Sequence, residues 1–307
     1  MSRRRLNPEA EAASARAKMH RKPRFRLPWV ALPYCVYALI FVVVPMVLVV
    51  VYSFFYHYEN GGSFSFTWEF FARFFNFSDP VYMQVLWRSV WIALVSTLIC
   101  LVIGYPMAYI LSRMKPRIRG IVSFLFVLPM WMNFLLRTYA WMTILENTGI
   151  LNTALQAIGL TDKPIQFMYS TGSVIFGNVY NFLPFMILPI YNTLIKLDKS
   201  MVEASGDLGA SFGQTFRRVI FPLSLPGVSS GIMMTFMPAL TTFIVSRLLG
   251  GSKISLIGDT IEKQFLSTGD YGFGSALSVI LMVLTLLAMA VMGKYEKEQS
   301  ATGGLLM

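Results

Sequence analysis

Two groups of residues in this 307-residue chain have types and spacings that could do work. The first is a polar interruption at 198–222, DKSMVEASGDLGASFGQTFRRVIFP, set between two long apolar runs. Ser200 and Glu203 have the spacing of a capping box, in which a hydroxyl and a carboxylate satisfy the free amides that open a helix. This predicts a short helix beginning at Ser200. Gly209 then permits a left-handed turn at no steric cost, and Ser211 with Gln214 repeats the box to open a second helix. Arg217 and Arg218 fall near the expected end of that helix, against its negative pole, and Pro222 favours a break before the next apolar run. The expected product is helix, glycine elbow, helix. Taken as local structure, the same pattern would serve any amphipathic connector.

The second group lies inside apolar sequence. From Leu128 the chain reads LPMWMNFLLRTYAWMTILENTGILN, which places Trp131, Asn133, Arg137, Tyr139, Trp141 and Glu146 on or near one span. A charge in lipid is expensive, so Arg137 is expected to face the bundle interior or a wet cavity, as part of a pathway or of a structural pair. The aromatic residues could form a sliding surface for a cation, and Trp and Tyr serve equally as anchors at a membrane interface. Asn178, Tyr180, Asn181 and Pro184 interrupt a later apolar run and admit the same two readings. The carboxylates of Glu146, Asp259, Glu262 and Asp270 fall at or beyond the outward ends of the spans, where they could receive a cation. Arg137 would repel one unless neutralised.

Catalytic groupings are missing from the sequence. The histidines are His20, in a basic tail, and His57, at a membrane edge, and no Cys pair or His-Glu helix motif accompanies them, so no metal site is expected. A phosphate-cradling loop of the form GxxxxGK[ST] is also missing, since Gly293-Lys294 is followed by Tyr295 and Ala288 stands where the first glycine belongs. The chain is therefore not expected to be an enzyme or to bind a cofactor. If ATP drives it, another chain hydrolyses that ATP.

The elements that must position these residues are set by composition. Apolar residues make up 55% of the chain and charged ones 13%, against about a quarter in a soluble domain. Six apolar segments, at about 29–56, 86–111, 121–143, 173–195, 224–249 and 275–292, each approach or exceed the ~20 residues a membrane helix needs. The expected fold is all-α, a polytopic bundle of six transmembrane helices. Residues 1–28 form a basic tail, 29–56 a first span, 86–292 a core that includes the 198–222 loop, and 293–307 a second tail. The first span is too long for a signal peptide and is read as a retained anchor, bent at Pro33 and Pro45. Cys35 and Cys100 both lie in apolar segments, which argues against a structural disulfide.

The net charge of +11 is unevenly placed. Nine Lys or Arg lie in the amino-terminal tail, four at 112–120 and four at 196–223, whereas the intervening loops at 60–85, 146–172 and 250–274 hold one, one and two. The positive-inside rule therefore puts both termini and the 198–222 loop in the cytoplasm. A tail near anionic lipid explains the basic amino terminus better than a nucleic-acid arm.

Glu203, Ala204, Gly209, Val219 and Pro222 fall on the spacing of the EAA loop of ABC importer permeases, with Ser205, Val219 and Phe221 as departures from its second alanine, isoleucine and leucine. Pro129, Trp131, Leu135, Arg137, Tyr139 and Trp141, then residues 181–185 (NFLPF), 196–198 (KLD) and 270–275 (DYGFGS), resemble the permeases of spermidine/putrescine ABC importers, nearest the B-type of their two permease subunits. The resemblance covers nearly everything after the basic tail. It implies a type I importer permease of the bacterial inner membrane whose Glu203, Ala204, Gly209, Arg217 and Arg218 meet an ATPase. It also implies a second permease, two ATPase subunits that carry ATP and magnesium, and an extracytoplasmic polyamine-binding protein. Charge alone leaves iron, thiamine or an anion open as the solute. A self-contained channel or ion-driven transporter would call for intramembrane acids or inverted repeats.

Overall fold

The computed structural model describes residues 27–56, 65–76 and 80–304. Most of the expected basic tail, with His20, and also His57 lie outside the described residues. The chain divides into two compact units, 1–48 and 49–307.

In the first unit, α1 (Leu27–Ala38) runs through a π turn (Leu39–Val43) into α2 (Val44–Phe54), which crosses the boundary between the units. Pro33 lies within α1 and Pro45 is the second residue of α2. Neither stops the helix. At Pro45 the reason is visible: the Val44 N–H bonds back five residues to the Leu39 carbonyl, and this wider turn leaves room for a ring that has no N–H to give.

The second unit begins with a two-stranded ribbon, β1 (Phe55–Tyr56) and β2 (Ser65–Phe66), antiparallel with Phe55 opposite Phe66. After it come α3 (Glu69–Phe74), α4 (Val81–Arg113), α5 (Pro116–Trp131), α6 (Phe134–Leu145), α7 (Ile150–Ala157) and α8 (Thr171–Leu194). Next are α9 (Lys199–Asp207) and α10 (Phe212–Thr215), which a π turn (Phe216–Ile220) joins to α11 (Phe221–Thr241). A further π turn (Ser246–Gly250), α12 (Ile257–Lys263), a last π turn (Gln264–Thr268) and α13 (Tyr271–Gly304) complete the described chain. The boundary expected at 292–293 falls inside α13.

Among the described residues, five helical stretches are long and apolar enough to cross a membrane, and there are six if a bent pair counts as one span. That pair corrects the third expected segment. Instead of a straight span over 121–143, α5 and the helical stretch of α6 and α7 are bent by 92° at a short break. Met132 turns extended (ψ 147°), and the Asn133 side chain accepts from Leu135 N–H (2.9 Å) and Leu136 N–H (3.4 Å), capping a fresh helix. The fifth segment is corrected as well, because α11 stops at Thr241, Thr242 turns extended (ψ 139°), and the rest of 224–249 enters a separate short helical stretch.

The core is built on α4, α8 and α11. Met186, Ile187 and Ile190 are fully buried with Cys100, Ala108 and Ile220, and the hydroxyls of Tyr105 and Ser224 meet at 2.8 Å between α4 and α11. Because lipid is as apolar as these side chains, the bundle rests on close packing and on such polar contacts rather than on escape from water. A second cluster, with Phe74, Leu240, Ile257 and Phe273 buried, gathers at the other end of α4. Tyr109 near the last turn of α4 packs on Phe216 (5.8 Å), and Tyr82 near its first turn packs on Phe273 (4.7 Å). The elbow and the rim formed by α3, α12 and the start of α13 are thus about 40 Å apart along one helix.

Candidate functional site

At the elbow, α9 opens at Asp198, whose carboxylate accepts from the Ser200 N–H at 2.9 Å. The helix therefore starts earlier than the spacing of Ser200 and Glu203 suggests. Those bonds from Ser200, the backbone one first, hold the Asp198 carboxyl below the usual carboxylate range. Glu203 is thereby released from capping and stands exposed with Ala204 on α9.

The far end of α9 closes as expected. Gly209 has φ +77°, its N–H bonds to Gly206 O (2.8 Å), and the Ala210 N–H bonds to Ser205 O (3.0 Å), the paired bonds of a Schellman motif. The next turn is opened by Ser211 and Gln214 as a capping box, with Ser211 N–H to Gln214 Oε1 at 2.8 Å and Gln214 N–H to Ser211 Oγ at 3.4 Å. The second helix does not end at Pro222. Phe221 N–H bonds five residues back to Phe216 O, and Pro222 passes as the second residue of α11, the arrangement also found at Pro45. Arg217 and Arg218 thus lie in the first turns of a long helix, exposed, where the helix dipole does not hold them. They line a polar groove with Ser211, Gly213 and Gln214. Leu208 (87% exposed) and Phe212 (69%) flank Gly209 and Ala210 and are largely uncovered among the described residues. Charged groups therefore surround exposed apolar side chains at the elbow.

The intramembrane residues sort by helix face. Arg137 and Trp141, four apart on α6, share a face, and Tyr139 lies on the other, 46% exposed. Trp141 meets Phe176 (4.7 Å) and Tyr180 (5.1 Å) edge-on, which joins α6 to α8. Arg137 is 8% exposed with its guanidinium 5.8 Å from the Phe134 ring, and its Nε and Nη1 have no hydrogen-bond partner among the described residues. Asn181 donates to Gly177 O at 2.9 Å with its Oδ1 unpaired, and Asn178 beside it, fully buried, is unpaired at both polar atoms. Trp131 is apart from this group, 75% exposed at the end of α5, and Asn133 is used as a cap.

Three of the four acids expected to be available for a cation are already engaged. Glu262 holds Arg247 through both carboxylate oxygens (2.6 and 2.8 Å). Asp270 holds Arg73 at 3.0 Å and accepts from the Phe273 N–H at the start of α13, and the Arg73 guanidinium also lies 4.3 Å from the Phe273 ring. Asp259 accepts from the Leu256 N–H (2.9 Å), and burial pushes its carboxyl up against the opposing effect of bonds from Ser246 and Leu256. Only Glu146 of the four has no hydrogen bond or ion pair to its carboxylate among the described residues. It lies at the end of α6, just beyond Trp141. Its backbone is held by the buried Asn152, whose Nδ2 donates to Glu146 O (3.1 Å) and Ile165 O (2.9 Å). Sequence reasoning missed Arg73 and Arg247, the groups that neutralise this rim, because they lie 197 and 15 residues from their partners.

Comparison with known proteins agrees with this geometry. The spermidine/putrescine transport system permease protein PotB of Haemophilus influenzae is 42% identical over 258 residues, which covers 84% of this chain and 89% of that protein. Its namesake in Escherichia coli K12 is 43% identical over 213 residues, 69% of this chain and 78% of that one. In fold, the chain is similar to a component of the crystal structure of a bacterial ABC transporter that imports the polysaccharide alginate, with TM-score 0.75, 17% identity, and coverage of 92% and 99%. Residues 100–299, which hold the elbow and the polar residues of α6 and α8, match the model of the binding-protein-dependent transport system inner membrane component, and the chain belongs to that family of multi-pass membrane permeases.

Proposed function

We propose that this permease forms half of the pathway by which an ATP-driven importer brings polyamines, spermidine or putrescine, across the inner membrane. The observation that carries the reading is the elbow: two separately capped helices meet at Gly209 and expose Leu208, Phe212, Glu203, Arg217 and Arg218. That surface suits an ATPase subunit. Two ATPases would hold ATP and magnesium, a second permease would complete the pore, and an extracytoplasmic binding protein would deliver the solute. Loop charge supports a cytoplasmic position for both termini and the elbow. On the solute side, Glu146 at the end of α6 has a carboxylate with no ion pair among the described residues, and the same helix carries Trp141, packed edge-on against Tyr180; a carboxylate and aromatic rings are the two kinds of surface that ammonium groups and methylene spacers prefer. The relatives named for spermidine and putrescine support the same substrate class.

A second reading, an anionic solute, is favoured by Arg137, whose two unpartnered nitrogens lie in the same helix face as Trp141. Uptake decides between them. The complex with its second permease, ATPases and binding protein, reconstituted in vesicles, is expected to accumulate labelled spermidine only with ATP inside the compartment that the elbow faces. ATP-independent flux, or transport of an anion in preference to spermidine and putrescine, would overturn the proposal.

A further inference from the structure

Ser205 occupies the position where the EAA pattern has its second alanine, and the structure gives it a partner. Its hydroxyl lies 2.8 Å from the Val202 carbonyl and 2.9 Å from the Thr215 hydroxyl, across the turn between α9 and α10. A serine has one hydroxyl proton. With that proton donated to Val202 O, the bond across the turn must run from the Thr215 O–H to Ser205 Oγ. Thr215 is 6% exposed and Ser205 half-buried, so the contact is sheltered from competing water, unlike Glu203 and Ala204 on the same helix. Thr215 is also the last residue before the π turn that leads into α11.

We infer that Ser205 and Thr215 are positioning residues, a hydroxyl clamp that fixes the angle between the two helices of the elbow. Gly209 only permits the turn: with φ +77° and nothing within 4 Å of an added Cβ, it leaves the angle unset. The capping bonds are each internal to one helix end. The Ser205–Thr215 bond is the side-chain hydrogen bond that joins α9 to α10 among the described residues, and it ties the exposed docking helix to the foot of a membrane span. The clamp's consequence for transport rests on the proposed coupling role of the elbow. A movement imposed on α9 reaches α11 undiminished only while the angle is held.

The test uses the full complex in nanodiscs, with spin labels at Lys199→Cys and Gly213→Cys in a background where Cys35 and Cys100 are alanine. Thr215→Val keeps the shape and removes the donor, Ser205→Ala removes the acceptor, and Thr215→Ser restores the hydroxyl. Thr215→Val and Ser205→Ala are each expected to broaden the α9–α10 distance distribution, with a roughly fivefold larger share of long distances, the weight of one net hydrogen bond. The double variant should match either single one, and Thr215→Ser should return to the parent distribution. The ATP hydrolysed per spermidine delivered should rise in the same order. Unchanged distances in both Thr215→Val and Ser205→Ala, or fully additive effects, would overturn the clamp. Broadened distances with an unchanged ratio of ATP to substrate would uphold the clamp and instead remove the coupling role of the elbow.

Discussion

Gly209 at the elbow and Gly272 at the rim are both glycines, for opposite reasons. Gly209 has φ +77° and open space where a Cβ would go, so it defends a backbone conformation. Gly272 has no left-handed φ, and a Cβ there would lie 2.3 Å from the Phe70 ring, so it defends a space. The difference extends to their surroundings. The elbow is assembled mostly from bonds between near neighbours and leaves Glu203, Arg217 and Arg218 without an ion pair among the described residues, whereas the rim joins residues far apart in sequence and ties Arg73 to Asp270 and Arg247 to Glu262. Under the proposed function the elbow's charges stay available to a partner, whereas the rim uses its charges internally.

The largest effect is expected where space is defended. Gly272→Ala should cost about 1–3 kcal/mol by overpacking, read as a lower melting temperature of the purified protein, and Phe70→Leu should restore most of the loss. If Gly272→Ala melts normally, the rim is not a tight joint. Gly209→Val should strain the turn by about 1–2 kcal/mol and reduce ATP-driven uptake roughly tenfold while leaving membrane insertion intact. Gly209→Asn, which tolerates a positive φ, should transport nearly normally. The equivalent Gly272→Asn should not be tolerated, and a reversal of this pair would break the comparison.

A smaller effect separates the free acid from the tied ones. Glu146→Gln removes an unpaired charge and should weaken apparent spermidine affinity about fivefold, on the order of 1 kcal/mol for a wet ion pair. Glu262→Gln should leave uptake alone and change only stability, since its charge is spent on Arg247. Equal loss of uptake in both variants would show that the rim's ion pairs open during transport. The smallest effect belongs to Asp259. Its carboxyl is raised by burial, so the folded state binds its proton more tightly than the unfolded one, and stability declines as pH rises through the raised value. Asp259→Asn keeps an acceptor for the Leu256 N–H and should be within about 0.5 kcal/mol of the parent at neutral pH. It should also flatten that pH dependence in thermal melts.

The comparison also explains what is legible in the sequence. Gly209 and the box of Ser211 with Gln214 are readable because their bonds span three to five residues and each partner sits at a fixed offset. The cap of α9 lies two residues before the one the sequence suggests, because Asp198 and Ser200 are both good caps and only the fold shows which is used. The end expected at Pro222 fails for a different reason: Pro222 is the second residue of α11, directly after a π turn, and Pro106, Pro184 and Pro189 likewise pass inside long helices. The break at Met132 lies in continuous apolar sequence, where hydropathy has nothing to register, although Asn133 is there to cap the next helix. At the rim, Asp270 and Arg73 give no local sign of each other. The acids are therefore visible in the sequence and their availability is not.

The π turn at Phe216–Ile220 sets the rotation of the elbow about the helix axis. A π turn holds one residue more than the α-helical turn it replaces, and one residue corresponds to about 100° of rotation around a helix axis. Every face of the elbow is therefore dialled by that angle relative to the face of α11 that packs on α4 and α8. Deleting one residue from the turn would leave both helices, both caps and the clamp chemically whole, yet would aim Leu208, Phe212 and Glu203 a quarter-turn or more away from their present heading. In this protein the direction in which the elbow's exposed residues look is written as a single surplus residue.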